Sequence, residues 1–179
     1  MTYVKHSVGE SNWNDIVLSG NSLRSGNSAP DPINHPAAAT IQIYGFDGGN
    51  TLEQLDGSAE IVHDYKETTA IHPNVHWCPT TAATGVVVWN MDLAYADVNG
   101  THISGAVSGS SAASGTGYHT LTSLNSWDIT GLHIGAVICF RLFRNPTISL
   151  DTYPGDAGLL SVGIHYESDT MGSRYIGSK

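Results

Sequence analysis

At 179 residues, with 40% hydrophobic and 13% charged side chains, the chain is long enough to bury a core as one domain without a disulfide staple or a metal clip. Seven Lys and Arg against sixteen Asp and Glu give a formal charge of −9. That balance excludes a nucleic-acid partner, because such binding depends on basic side chains displacing counterions from the phosphates. No run approaches the ~18 apolar residues of a membrane span, and Met1-Thr-Tyr-Val-Lys-His-Ser7 lacks the basic start and apolar stretch of a secretory signal. Synthesis in a cytosol and no membrane partner are therefore expected.

In chain order, residues 1–39 differ from the rest of the chain. After the short apolar patch of Trp13, Ile16, Val17 and Leu18, the stretch from Ser19 to Pro36 is built mainly of Gly, Ser, Asn and Pro. Proline lacks the amide donor and glycine costs entropy to order, so neither a helix nor an inner strand is sustained there. An extended N-terminal arm is expected over 1–39, ahead of a sandwich domain over 40–179.

From Thr40 the pattern changes to short strands between turn signals. Thr40 to Phe46 alternates and stops at Asp47-Gly-Gly-Asn50, and a second strand is expected over about 55–65. The clearest case is 86–97, where Val87, Trp89, Met91, Leu93 and Tyr95 share one face. Period two over that length predicts a strand with one buried side. Val98-Asn-Gly100 supplies a hairpin turn into 101–107. Ser108 to Gly117 is small and polar and is expected to be a mobile surface loop. Strands follow at about 118–125 and 136–144, the second with Ile138, Phe140 and Leu142 inward. In the last strand, Leu160, Val162, Ile164 and Tyr166 are expected to face the core. Eight or nine strands without a helix make an all-β protein, a two-sheet antiparallel β-sandwich with jelly roll as the expected topology.

The side chains that could carry chemistry do not combine into a recognised pattern. If 71–78 is extended, His72 and His76 stand roughly 13 Å apart, too far to share one zinc at ~2 Å bonds. No metal or cofactor is expected. His63-Asp64 and His165-Tyr-Glu167 set imidazole beside carboxylate, but no Gly-x-Ser-x-Gly elbow accompanies them. Asp92, Asp97, Asp128, Asp151, Asp156, Glu167 and Asp169 have no spacing that demands a glycosidase pair. Trp13, Trp77, Trp89 and Trp127 are candidates for a carbohydrate-stacking platform, with Trp89 assigned to the core. Cys78 and Cys139 are expected to be buried free thiols. His72 and His76 are expected to serve as hydrogen-bonding interface or core residues and Trp77 as a core or interface residue, which makes all three subunit-interface candidates. In a chain with nine histidines, a subunit contact that holds His72 or His76 would gain positive charge on acidification and make assembly acid-sensitive.

Several blocks carry a resemblance. His63-Asp-Tyr-Lys-Glu67, Ile71-His-Pro-Asn-Val-His-Trp-Cys-Pro79, Cys139-Phe-Arg-Leu-Phe-Arg144, Asp151-Thr-Tyr153, Leu159 to Glu167 and Gly172-Ser-Arg174, with Gly9 to Asp15 near the start, are similar to a family of tailed-bacteriophage virion structural proteins. The resemblance implies a β-sandwich homotrimer without enzymatic activity on the virion exterior. Its expected partners are other copies of itself and the major capsid protein, which it would stabilise as a decoration or cement protein. A tail- or fibre-associated receptor-binding module is the alternative.

Overall fold

The computed structural model describes residues 12–49, 51–129 and 131–173. Strands β1 (Asn12–Ser19), β2 (Arg24–Ser25), β3 (Asp31–His35), β4 (Ala38–Phe46), β5 (Glu53–Glu60), β6 (His72–Pro79), β7 (Val86–Ala96), β8 (Ile103–Ala112), β9 (Thr120–Ser123), β10 (Val137–Arg144) and β11 (Ala157–Ser168) form two antiparallel sheets. One runs β3-β4-β11-β6-β9, with β1 also on β11. The other runs β2-β5-β10-β7-β8. From β4 onward every connection crosses between sheets except the β7–β8 hairpin, which gives the interleaved order β4-β11-β6-β9 over β5-β10-β7-β8 of a jelly roll. The expected fold class is the one observed.

The alternation in β7 puts Val87, Trp89, Met91, Leu93 and Tyr95 into the core. Phe46 meets Trp89 edge-on with ring centroids 4.9 Å apart, and Trp77 lies 6.4 Å from both Trp89 and Tyr153. At the far end of the hairpin, Asn99 takes φ 63° and the Gly100 amide donates to Asp97 O at 2.8 Å, closing the turn expected there. The Asp47 turn is also formed, its carboxylate accepting from the Gly49 amide at 2.8 Å.

Three expectations need correction. The segment read as a separate arm is extended, but from Asn12 onward it is laid into the sandwich. β1 pairs with β11 over its full length, β2 pairs with β5, β3 pairs with β4, and Leu23 joins the core. Backbone pairing at an edge needs amides and carbonyls on one side only, so Gly, Ser and a Pro at the strand start are tolerated. The first eleven residues of that segment lie outside the described residues, as do Thr130 and Arg174.

The small, polar run after Val107 is not a loop as far as Ala112. It continues β8, paired residue by residue with β7. Its lack of bulk is a packing requirement. A Cβ added at Gly109 would stand 2.2 Å from the Ser123 carbonyl oxygen.

In β11 the register shifts between Leu159 and Ser161. This bulge puts Leu159, rather than Leu160, in the core before Val162, Ile164 and Tyr166 resume the pattern.

Candidate functional site

The outer face of the β1-β11-β6-β9 layer gathers the side chains of most interest. The pleat of β6 sends Val75 and Trp77 inward and His72, Asn74 and His76 outward. Trp77 is fully buried, with its indole N–H donating to Thr122 Oγ1 at 2.9 Å. Of the two expectations for Trp77, core and subunit interface, the core is the one observed: it packs inward, on the opposite face from the two histidines.

Strand register then builds rows across this face. Asp15, His165 and His72 are successive cross-strand neighbours, as are Val17, Gly163, Asn74 and Ser123, and then Ser19, Ser161, His76 and Leu121. In the first row His165 Nε2 lies 3.0 Å from Asp15 Oδ1. Trp13, 62% exposed, meets the His72 ring at 5.0 Å and 80°. In the third row His76 Nδ1 lies 2.8 Å from His119 Nε2, the rings stacked 5.0 Å apart. Burial, and then the neighbouring His119 and His165, hold the His76 pKa below its ordinary value, with a smaller opposing pull from Asp15. The exposed Leu121 and Tyr118 lie at this β9 side.

Between the first and second rows is a groove of about 480 Å³, lined by Trp13, His72, Pro73, Asn74, Ser123, Leu124 and His165. Asn74 is 1% exposed, and neither its Nδ2 nor its Oδ1 has a hydrogen-bond partner among the described residues. It can occupy this position because its β11 neighbour is Gly163: a Cβ there would stand 2.6 Å from Asn74 Oδ1. Asn74 was not among the residues expected to matter. The one available signal in the sequence is a polar side chain between His72 and His76 on the outward phase of β6.

The other candidates disperse. His63 Nδ1 lies 2.5 Å from Ser173 Oγ, while the Asp64 carboxylate accepts from Asn14 at 2.8 Å, Tyr166 at 2.9 Å and Ser168 at 3.2 Å. Burial works to raise the Asp64 pKa, but those hydrogen bonds outweigh it and hold the group low. The same burial, with the bond to Asp64, pushes the Tyr166 phenol up. Glu167 pairs with Lys66 at 2.8 Å, Asp92 with Arg141, and Asp97 with His133 at 2.9 Å. These contacts tie loops and strands together. Trp89 is core, and Trp127 packs on Tyr95 at 5.3 Å. Cys78 and Cys139 are free and belong to different sheets, but Cys139 is exposed on the outer face of β10, not buried as expected. Among the described residues no group of three or more His, Cys, Asp or Glu is arranged to hold a metal.

No protein-family model matches the chain, and no curated protein matches its sequence. Solved structures do match. A family 35 carbohydrate-binding module from Clostridium thermocellum aligns with TM-score 0.48 and 9% identity over 84% of this chain and 97% of its own. The CBM36-1 domain of a multidomain xylanase from the hindgut metagenome of Trinervitermes trinervoides aligns with TM-score 0.44 and 12% identity over 91% and 100%. The infectious bursal disease virus Gx strain structure aligns with TM-score 0.44 and 13% identity over 99% of this chain but 38% of its own. At these scores the likeness concerns the sandwich architecture and supports no functional statement.

Proposed function

We propose that this chain is a non-enzymatic structural protein of a phage virion, a homotrimeric decoration protein bound to the outer surface of the capsid. The observation that carries this reading is a pair of exposed apolar clusters on opposite sheets. Tyr118 and Leu121, beside His76 and His119, lie at the β9 side of one sheet. Val98 and Val137, 65% and 41% exposed, lie at the turn end of the other, where Ile103, 56% exposed, stands opposite Tyr95 on the other face of that sheet. A lattice protein needs two such contacts, one with its own copies and one with the coat. We assign the first cluster, including His76, to the trimer contact and the second to the major capsid protein. The resemblance of the 63–79, 139–144 and 159–167 blocks to virion proteins supports the same reading, and His72 is assigned to the groove rather than to the contact.

Copy number and position in the particle test the proposal. Immunogold labelling spread over the head, with many copies per particle, is the expected result. A few copies confined to the tail would overturn it in favour of a receptor-binding module, a second reading favoured by the open groove beside Trp13. Val137→Asp should lower capsid occupancy and leave the oligomer intact, whereas Leu121→Asp should yield monomers by light scattering. Monomeric full-length protein would overturn the trimer.

A further inference from the structure

We propose that the groove between Trp13 and Asn74 is a binding site for a neutral sugar ring, with Trp13 as the stacking platform and the Asn74 amide as the polar anchor. The proposal holds for either place in the virion and does not depend on the capsid reading.

Asn74 is the central residue. A carboxamide has two donor hydrogens and an acceptor oxygen, and burying such groups unpaired is unfavourable. Here both ends are buried and without a partner among the described residues, in a residue that lines an open groove, so the anchor engages a ligand by a turn of the amide out from over Gly163 into that groove. A folded protein satisfies nearly all such groups, so this amide is suited to a ligand that offers adjacent donors and acceptors. Vicinal hydroxyls or an acetamido substituent on a pyranose do so. The protein maintains the arrangement through Gly163, since any side chain there would displace the amide.

The walls match the rest of such a ligand. Trp13 is the exposed tryptophan of the four, and its perpendicular contact with His72 covers one indole face at most, leaving the other for the C–H face of a sugar. His165 has Nε2 directed at Asp15 and therefore has Nδ1 left to accept from a hydroxyl. Ser123 adds a hydroxyl at the opposite wall. Lys and Arg are missing from the lining while Asp15 stands beside it, so a phosphate or carboxylate ligand is disfavoured. An aliphatic ligand would leave the amide unpaired. The volume of about 480 Å³ falls in the lower half of the ~300–1,000 Å³ range of small-molecule sites.

The test is a titration of the full chain with the methyl glycosides of glucose, galactose and N-acetylglucosamine. It is followed by tryptophan fluorescence and by saturation-transfer NMR. At least one glycoside should bind saturably, with an affinity reduced about tenfold or more by Trp13→Ala and by Asn74→Leu. Gly163→Ala should weaken binding similarly by displacing the amide. Asn74→Leu also separates a binding role from a structural one: removing an unpaired buried amide should leave the unfolding temperature unchanged or raised. Trp13→Ala, at an exposed edge position, keeps the test valid if the substitutions at Asn74 or Gly163 disturb the sheet. No saturable binding by any of the three glycosides would overturn the proposal. So would binding indifferent to Trp13→Ala and Asn74→Leu, or a lowered unfolding temperature in Asn74→Leu with binding retained. If a coat-protein peptide, and no glycoside, occupies the groove in the same titration, the site is a protein-docking socket and the sugar assignment fails.

Discussion

Arg144 and Asp151 form a two-point ion pair in the interior, with Nε to Oδ2 at 3.0 Å, Nη2 to Oδ1 at 2.7 Å and both side chains 1% exposed. The guanidinium also donates to the carbonyls of Phe46 at 3.1 Å, Gly155 at 2.7 Å and Tyr153, while Asp151 Oδ2 accepts from the Val88 amide at 2.9 Å. One buried pair thus joins the ends of β4, β7 and β10 to the loop before β11. Removing one partner leaves the other charge and several backbone groups unpaired. Arg144→Leu should therefore cost about 3–5 kcal/mol in urea unfolding. Because the two side chains act as a unit, adding Asp151→Leu should cost far less than the sum of the single changes. Additive costs would show that the pair is not coupled.

Deletion of residues before Ala37 should destabilise the sandwich. It removes β1 from the open side of β11, takes Leu23 out of the core and leaves β4 without β3. The unpaired strand edge promotes association with other chains. The expected outcome is a lowered unfolding temperature and aggregation by light scattering. A deletion variant as stable as the full chain would mean that these edge strands contribute little.

Two histidine contacts should give opposite pH dependences. The folded-state pKa of His76 is held below 6.5 by burial and by His119, so its contribution to stability is present above pH 6.5 and lost as the pH falls through the lowered value. His119→Gln should reduce that acid loss and change little at pH 8. His133 is raised above 6.5, first by its hydrogen bond to Asp97, so its contribution is present below pH 6.5 and lost as the pH rises through the raised value. His133→Asn should destabilise at pH 5.5 and be silent at pH 9. Both are partly exposed, so the shifts in unfolding midpoint are small. Their opposite signs are the diagnostic feature. If the trimer contact includes His76, subunit dissociation should follow the acid-sensitive profile.

Native thiol titration with a disulfide reagent should count one rapid reaction. Cys139 is exposed on the outer face of β10, whereas Cys78 is buried and burial pushes its thiol pKa up. Cys139→Ser should abolish the rapid phase, and Cys78 should react only after unfolding. Two fast thiols would contradict the burial of Cys78.

The amino-acid sequence by itself determined that this chain is a β-sandwich, because alternation is a local property. Val87 to Tyr95 and Ile138 to Leu142 show their inward faces without reference to any other strand. The same logic placed His72 and His76 on one face of β6, and Asp47-Gly-Gly-Asn50 and Val98-Asn-Gly100 at turns. Three features were decided only by the tertiary structure. Main-chain pairing draws Asn12–Ser19 and Ser108–Ala112 into sheets through amides and carbonyls that every residue type carries, so composition does not reveal it. A bulge at Leu160 reverses the phase of β11 without a marker in the residue pattern. The groove is assembled from β1, β6, β9 and β11, whose members are separated by as much as 152 residues from Trp13 to His165. Period two fixes which face a side chain takes within its own strand. Only the order and register of neighbouring strands determine that Asn74 lies beside Gly163, buried and without a partner among the described residues, in a groove that an exposed tryptophan also lines.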